Sequence, residues 1–383
     1  MKVNLRDNAK EAAFRMGLQE WLRSHLPEHD EPDRRWEVDE LRKWSKELHE
    51  AGYAGLTWPR EHGGRGLDPS YQAIFAEESA VAGAPDHLNV IGLNMVGPTL
   101  IAHGTTEQQA RYLPGILSGE VLFCQGFSEP DAGSDLASVR TRATPAQDGY
   151  LVSGEKVWSS YAHLADFCLL LARTGAAEPK HHGLTCFVLN MRAPGVQVAP
   201  LRQISGDSDF NQIILGNAAI GGGDVIGAPG QGWSVAMSTL AHERGTFGIT
   251  LTARLTVQFR RLVEIVRSVG AQDDAVVRRE LAEIYTRLQG LRYTGYRALS
   301  AGGQPGPESS ILKLEWSLTH QRLCTLALRL LGPAAALDGD HAAWHGHWQR
   351  QRMRSRANTI EGGTSEILRG IVAERVLGLP RSR

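Results

Sequence analysis

The sequence predicts an α+β chain laid out in three stretches, helical, then β, then helical. Three observations carry that reading. Apolar residues recur at three- and four-residue spacing from residue 8 to about 118. From Val121 the pattern breaks into short apolar runs separated by turn signals. After Gly232 helical periodicity returns and continues to the end. The junctions fall near residues 120 and 228, giving segments 1–120, 121–228 and 229–383. A chain of 383 residues is long enough for two or three packed units.

In the first stretch, residues 11–22 and 39–48 carry one apolar face each. Pro69-Ser70 and Thr105-Thr106-Glu107 are helix starts, the first by proline in the opening turn and the second by a capping hydroxyl. In the middle stretch, Tyr150–Trp158, Asp166–Leu171, Leu184–Leu189 and Val196–Ala199 read as strands. Asp148-Gly149, Pro194-Gly195, Ser205–Ser208 and Gly221–Gly223 supply the turns between them. In the last stretch Ala271–Ala275 opens a helix, while Pro305-Gly306-Pro307 and Gly332-Pro333 break long ones. No repeat or low-complexity linker interrupts the chain.

Composition narrows the function. Hydrophobic residues make up 42% and the net charge is −1, which gives no electrostatic case for nucleic acid or a membrane surface. No apolar run approaches the ~18–20 residues of a membrane span, and residues 1–7 lack an apolar signal core. The four cysteines are scattered with no CxxC pair, which suits a reducing cytoplasm. His242, His181-His182 and His341/His345/His347 do not form HExxH, so they read as packing or surface histidines and no metal is expected.

Two segments carry chemistry. Ser128-Glu129-Pro130-Asp131-Ala132-Gly133-Ser134-Asp135 is a turn bracketed by apolar residues. Such turns aim backbone N–H groups and hydroxyls at one point. Trp158-Ser159-Ser160 ends a strand and offers a flat ring and two hydroxyls. An isoalloxazine ring needs a wall, donors for its pyrimidine oxygens and a donor near N5. Taken alone, the first segment is equally a solvated turn, and a tryptophan in a strand is more often core.

Together the two segments resemble the acyl-CoA dehydrogenase family. The resemblance runs nearly end to end, through Trp58–Leu67, Leu240–Gly245, Ile360–Ile367 and Ala373–Arg381. It implies an N-terminal all-α domain, a central β-barrel-like domain and a C-terminal four-helix bundle. It implies FAD, with Gln125, Phe127, Ser128, Gly133, Ser134, Trp158, Ser159, Ser160, Thr364 and Glu366 as cofactor contacts. Ser134 and Arg244 would also face the thioester ligand. The implied reaction is α,β-dehydrogenation of an acyl-CoA or carrier-bound acyl thioester. One donor must polarise the thioester carbonyl, and the matching position is the Gly362 N–H. A carboxylate must take the α-proton. The family places it in one of two positions. The one before Gly-Thr-Ser is Gly362 here, with Glu361 one residue early. The other is the Glu-Arg pair Glu243-Arg244. Glu243 is therefore the preferred base and Glu361 the alternative.

Two departures stand out. Residues 258–270 lack a convincing Arg-x-Gln/Arg-Phe-Gly segment, and Leu328 with Leu330-Leu-Gly-Pro333 replaces a Gln and a Gly-rich turn. Those parts contact the dinucleotide end of the cofactor, so that half is altered unless Arg260, Arg261 or Arg267 substitutes. The resemblance accordingly implies a homotetramer or a heterotetramer with a homologous subunit, and electron-transfer flavoprotein as electron acceptor. Two other readings stay open: a flavin oxidase or monooxygenase on the same fold, and a non-catalytic partner subunit. The acyl group is not readable.

Overall fold

The computed structural model describes residues 6–27, 36–176, 178–301, 306, 308–337 and 339–380, with the side chains of 243–247, 300, 301, 308 and 340 also outside that description. Helices come first and last, with strands between. The helices are α1 (Ala9–His25), α2 (Val38–Glu50), α3 (Pro69–Ala82), α4 (Gly97–His103) and α5 (Thr106–Ser118). Strands follow: β1 (Phe123–Gly126), β2 (Arg142–Ala146), β3 (Gly149–Ser160), β4 (Phe167–Arg173), β5 (Leu184–Asn190), β6 (Val196–Leu201), β7 (Phe210–Gly221) and β8 (Val225–Ile226). The chain then returns to helix: α6 (Gly232–Ser268), α7 (Ala275–Ala301), α8 (Glu308–Leu331), α9 (His347–Arg354) and α10 (Ser365–Ile371).

The helix starts, the expected ones at Pro69, Thr105 and 271–275 and a further one at Asn8, hold for local reasons. Asn8 accepts from the Lys10 and Glu11 amides while Glu11 returns a bond to the Asn8 amide, closing a capping box on α1. Thr105 and Gln108 do the same for α5. Pro69 occupies the first turn of α3, where its missing N–H costs nothing. Asp274 accepts from the Val276 and Val277 amides and caps α7.

The residues group into two compact units. One comprises 1–35, 68–85 and 244–383; the other comprises 36–67 and 86–243. In the second unit the strands form one mixed sheet in the order β6-β7-β3-β2-β4-β5-β8, with β1 added in parallel to β4. An apolar cluster inside it draws on Val152, Leu170, Phe187, Ile213 and Ala218. It also takes Val196 and Val198 from one end of the order and Val225 from the other. A sheet whose two ends share a core is curled, which gives the barrel-like form. A second cluster packs the opposite face of β4 and β5, through Leu169, Leu171 and Val188, against Trp58, Leu100, Tyr112 and Leu113. Trp58 is buried and its Nε1 donates to the Leu93 carbonyl at 3.2 Å. A Cβ at Gly64 would lie 2.3 Å from the Trp58 carbonyl oxygen, so the Gly-rich run after Trp58 exists to let backbone fold tightly over this anchor. In the first unit, Leu255, Leu262, Ile284, Leu288, Leu323 and Trp348 join α6, α7, α8 and α9 in one core. All four cysteines are buried thiols. Among the described residues no helix is long and apolar enough to cross a membrane.

Candidate active site

Most of the candidate residues lie on or beside two loops, one in each unit, while Glu243 and Arg244 lie on α6. The first loop leaves β1 and runs over residues 127–135 beside the end of β3. Two features tie them together. The Val157 amide donates to the Ser128 carbonyl at 2.9 Å. Lys156, fully buried, donates from Nζ to the Phe127 carbonyl at 3.0 Å and to Glu129 Oε1 at 2.8 Å. Glu129 also accepts from the Thr141 amide at 2.9 Å and, through Oε2, from the Arg140 amide at 2.6 Å. Burial alone would raise the Glu129 carboxyl, but the Lys156 charge and these donors outweigh it and hold it below its ordinary value. Burial likewise lowers Lys156, against the opposing pull of Glu129. Further along, Asp135 is held low, chiefly by its bond to Lys180, which reaches both carboxylate oxygens at 2.8 Å.

β3 reaches this loop through an irregularity. Its pairing with β7 slips between Lys156 and Ser159, and Trp158 there has φ 61°. Positive φ is costly for a residue with a bulky side chain. The slip breaks the in–out alternation: Lys156 and Ser159 both point inward, while the Trp158 ring stands 61% exposed. That indole meets Phe210 edge-on, centroids 6.0 Å apart. Ser159 Oγ and Gln125 Nε2 are buried with no hydrogen-bond partner. The Ser128 N–H has no acceptor among the described residues. Ser160 is partly buried, Phe127 buried, and Gly133 and Ser134 exposed. A Cβ at Gly133 would meet nothing within 4 Å. Unpaired buried donors cost free energy unless something satisfies them. Together with an exposed indole, they fit a flat polar ring with carbonyl and nitrogen acceptors, which is the chemistry of a flavin.

The second loop joins α9 to α10. Gly362 and Gly363 have φ 58° and 97°, the left-handed region that glycine enters without strain. The Gly362 N–H has no acceptor among the described residues. The loop is held from beneath. Lys313 of α8 donates to the Asn358 carbonyl at 2.6 Å and the Gly363 carbonyl at 2.9 Å, and Ser317 donates to Asn358 at 2.7 Å. Thr364 caps α10 by accepting from the Ile367 amide at 3.2 Å. Glu366 is exposed and pairs with Arg369 at 3.5 Å. Both Glu361 oxygens are taken by Arg354, at 3.1 and 2.8 Å. Glu243 and Arg244 sit on α6, but their side chains lie outside the described residues.

The side chains that hold the two loops in place are ones to which the sequence motifs gave no role. Glu129 stands inside the first of the two segments and Lys156 two residues before the second, yet neither received a role. A signal existed: Lys156 follows Val152 and Gly154 at the period-two spacing of an inward strand face, where a charge needs a partner. Lys313 and Arg354 gave no such signal, because their partners are backbone carbonyls and a loop carboxylate far off in sequence.

Comparison with known proteins matches three family domains. Residues 8–120 match the acyl-CoA dehydrogenase N-terminal domain, 124–215 the middle domain and 230–377 the C-terminal domain. The chain is 41% identical over 380 residues to the acyl-CoA dehydrogenase IpdE1 of Mycobacterium tuberculosis (strain ATCC 25618 / H37Rv), covering 96% of this chain and 97% of that one. The Mycolicibacterium smegmatis (strain ATCC 700084 / mc(2)155) IpdE1 is 40% identical over 386 residues, again covering 96% and 97%. Among solved structures, the Tcur3481-Tcur3483 steroid ACAD superposes with TM-score 0.88 at 30% identity, covering 99% of this chain and 100% of that one. The ChsE4-ChsE5 complex from Mycobacterium tuberculosis gives TM-score 0.88 at 28% identity, with the same coverage.

Proposed function

The chain belongs to the acyl-CoA dehydrogenase family, and from that premise we propose how its own residues divide the work. The reaction is α,β-dehydrogenation of an acyl thioester by an FAD-dependent oxidoreductase, in which the flavin supplies the hydride acceptor. Ser128, Gly133 and Ser134 hold the pyrimidine end of the ring, with Gln125 and Phe127 beside them. Trp158 forms the wall, Ser160 bonds near N5 and Ser159 sits between. Thr364 and Glu366 are further cofactor contacts. The Gly362 N–H polarises the thioester carbonyl, and Ser134 and Arg244 contact the thioester ligand. Glu243 removes the α-proton. Glu361 is the alternative base, but its carboxylate is held by Arg354 through both oxygens.

One observation carries this reading. Ser159 Oγ is buried without a partner next to an exposed indole at a strained backbone position. A structural strand end has no use for that combination. The test is anaerobic bleaching of bound flavin by a panel of acyl thioesters. The panel includes a steroid-type thioester, because the similar Tcur3481-Tcur3483 protein is a steroid ACAD. Absence of bleaching by every member, with flavin bound, would favour the partner-subunit reading, and fast reoxidation of the bleached flavin by oxygen would favour the oxidase reading.

We also propose functional segments at 1–120, 121–228 and 229–383, a cytoplasmic location and electron-transfer flavoprotein as electron acceptor. The assembly proposed is tetrameric. The heterotetramer is favoured by the altered segments at 258–270 and 328–333, and by the two-component naming of both similar structures.

A further inference from the structure

The buried pair Lys156–Glu129 lies among the proposed flavin contacts without being one of them. Lys156 spends one hydrogen bond on a backbone carbonyl, that of Phe127 at 3.0 Å. This carbonyl and the Ser128 N–H belong to one planar trans peptide, so the two point in opposite directions. Fixing the carbonyl toward the buried ammonium therefore fixes the N–H outward. The next carbonyl, that of Ser128, is fixed in turn by the Val157 amide at 2.9 Å. Glu129 completes the arrangement. It holds the ammonium at 2.8 Å and is itself held by the Thr141 and Arg140 amides, so the lysine cannot swing away.

We propose that Lys156 is a positioning residue: it locks the Phe127–Ser128 peptide so that the Ser128 N–H presents to the pyrimidine carbonyl edge of the flavin. This rests on the reading that Ser128 bonds the flavin, and it adds what makes that bond available. Without the lysine, the peptide can rotate and offer its carbonyl to the ring, an acceptor facing an acceptor. The ion pair does not touch the ring. Its work is to choose which side of one peptide the ring meets.

The test uses the full chain and three variants. Lys156→Met alone leaves Glu129 buried without its cation and can fail to fold. The double variant Lys156→Met/Glu129→Gln removes both charges together. Glu129→Gln alone keeps the bond from Lys156 to Phe127, and Ser128→Pro removes the N–H directly. Each is measured for FAD dissociation constant and for the carbonyl stretching bands of bound flavin by difference infrared spectroscopy. The expected result is a tenfold or larger loss of FAD affinity in the double variant. Its pyrimidine carbonyl band should move to higher frequency, as in Ser128→Pro, while Glu129→Gln stays near the unaltered chain. An unmoved band and unchanged affinity in the double variant overturn the proposal. So does a Glu129→Gln effect as large as the double variant's, which would assign the effect to the ion pair and not to the peptide. An unaltered chain that binds no FAD defeats the flavin reading itself. A band that moves in Ser128→Pro alone leaves that reading standing and removes the role of Lys156.

Discussion

Arg354 grips Glu361 with both arms of its guanidinium, at 3.1 Å to one carboxylate oxygen and 2.8 Å to the other. A fork of this kind fixes a carboxylate's position and engages both of its oxygens. Glu361 is thereby a tie for the loop that carries Gly362, and a poor candidate for proton removal. Glu243→Gln should therefore slow flavin reduction by ~10²–10⁴-fold, the usual cost of losing a positioned base. Glu361→Gln should cost less than tenfold. Rapid-mixing reduction under anaerobic conditions gives both numbers, and the reverse ranking would move the base to the loop.

Trp158 combines exposure with a left-handed backbone. Glycine at this position relieves a strain of about 1–2 kcal/mol. Trp158→Gly should thus leave the flavin-free chain as stable as before or slightly more so, while weakening flavin binding. Trp158→Ala should alter the flavin absorption spectrum by removing the stacked ring. Thermal unfolding without flavin, set beside a flavin titration, checks the trade. A large loss of flavin-free stability would mean that the indole serves the core.

His87 predicts an acid weakness in the β-containing unit. Its Nδ1 accepts from the Asn89 amide at 3.1 Å and its Nε2 donates to the Leu117 carbonyl at 3.1 Å, an arrangement that only the neutral ring satisfies. Burial, partly offset by the Leu117 bond, pushes it down to about 4 from an ordinary 6.5. The unfolded chain therefore binds an extra proton between those values. Stability should be full above about pH 6.5 and should fall as pH drops toward 4, by up to ~3 kcal/mol. Urea unfolding at a series of pH values reads the slope. His87→Gln should flatten it, and an unchanged slope would clear His87 of the effect.

Lys313 is nearly buried and donates to two carbonyls of the Gly362 loop. Lys313→Met should strand the Gly363 carbonyl, at about 1–3 kcal/mol of stability, while the Asn358 carbonyl keeps its bond from Ser317. It should also weaken binding of a non-reactive acyl thioester analogue more than it weakens flavin binding. Calorimetric titration with each ligand separates the two. Equal losses would point to a general unfolding of the helices around it.

The layout of helix and strand was legible because it rests on local rules. The Asn8 and Thr105 caps, the Pro69 start and the apolar runs of β4 and β5 are all written in neighbouring residues. Ser128 and Trp158–Ser160 were legible because short motifs carry them. What could not be read was support across distance. The slip in β3 that turns Trp158 outward depends on pairing with β7, about 50 residues on. The neutralising of Glu361 depends on an arginine one helix back, in a run of four alternating arginines with no mark to single it out.

The buried thiols have a use beyond packing. Cys124, Cys168 and Cys186 belong to one compact unit and Cys324 to the other. Burial shields all four from a reagent while their surroundings stay closed, and it pushes the Cys186 thiol up and Cys324 up to about 12. A thiol-selective label can reach them only through local or global opening. The chain thus carries its own separate clocks for the two units, with no probe introduced. If Cys324 is labelled well before the other three, the helical unit breathes on its own. If all four go together, the molecule opens as one cooperative body.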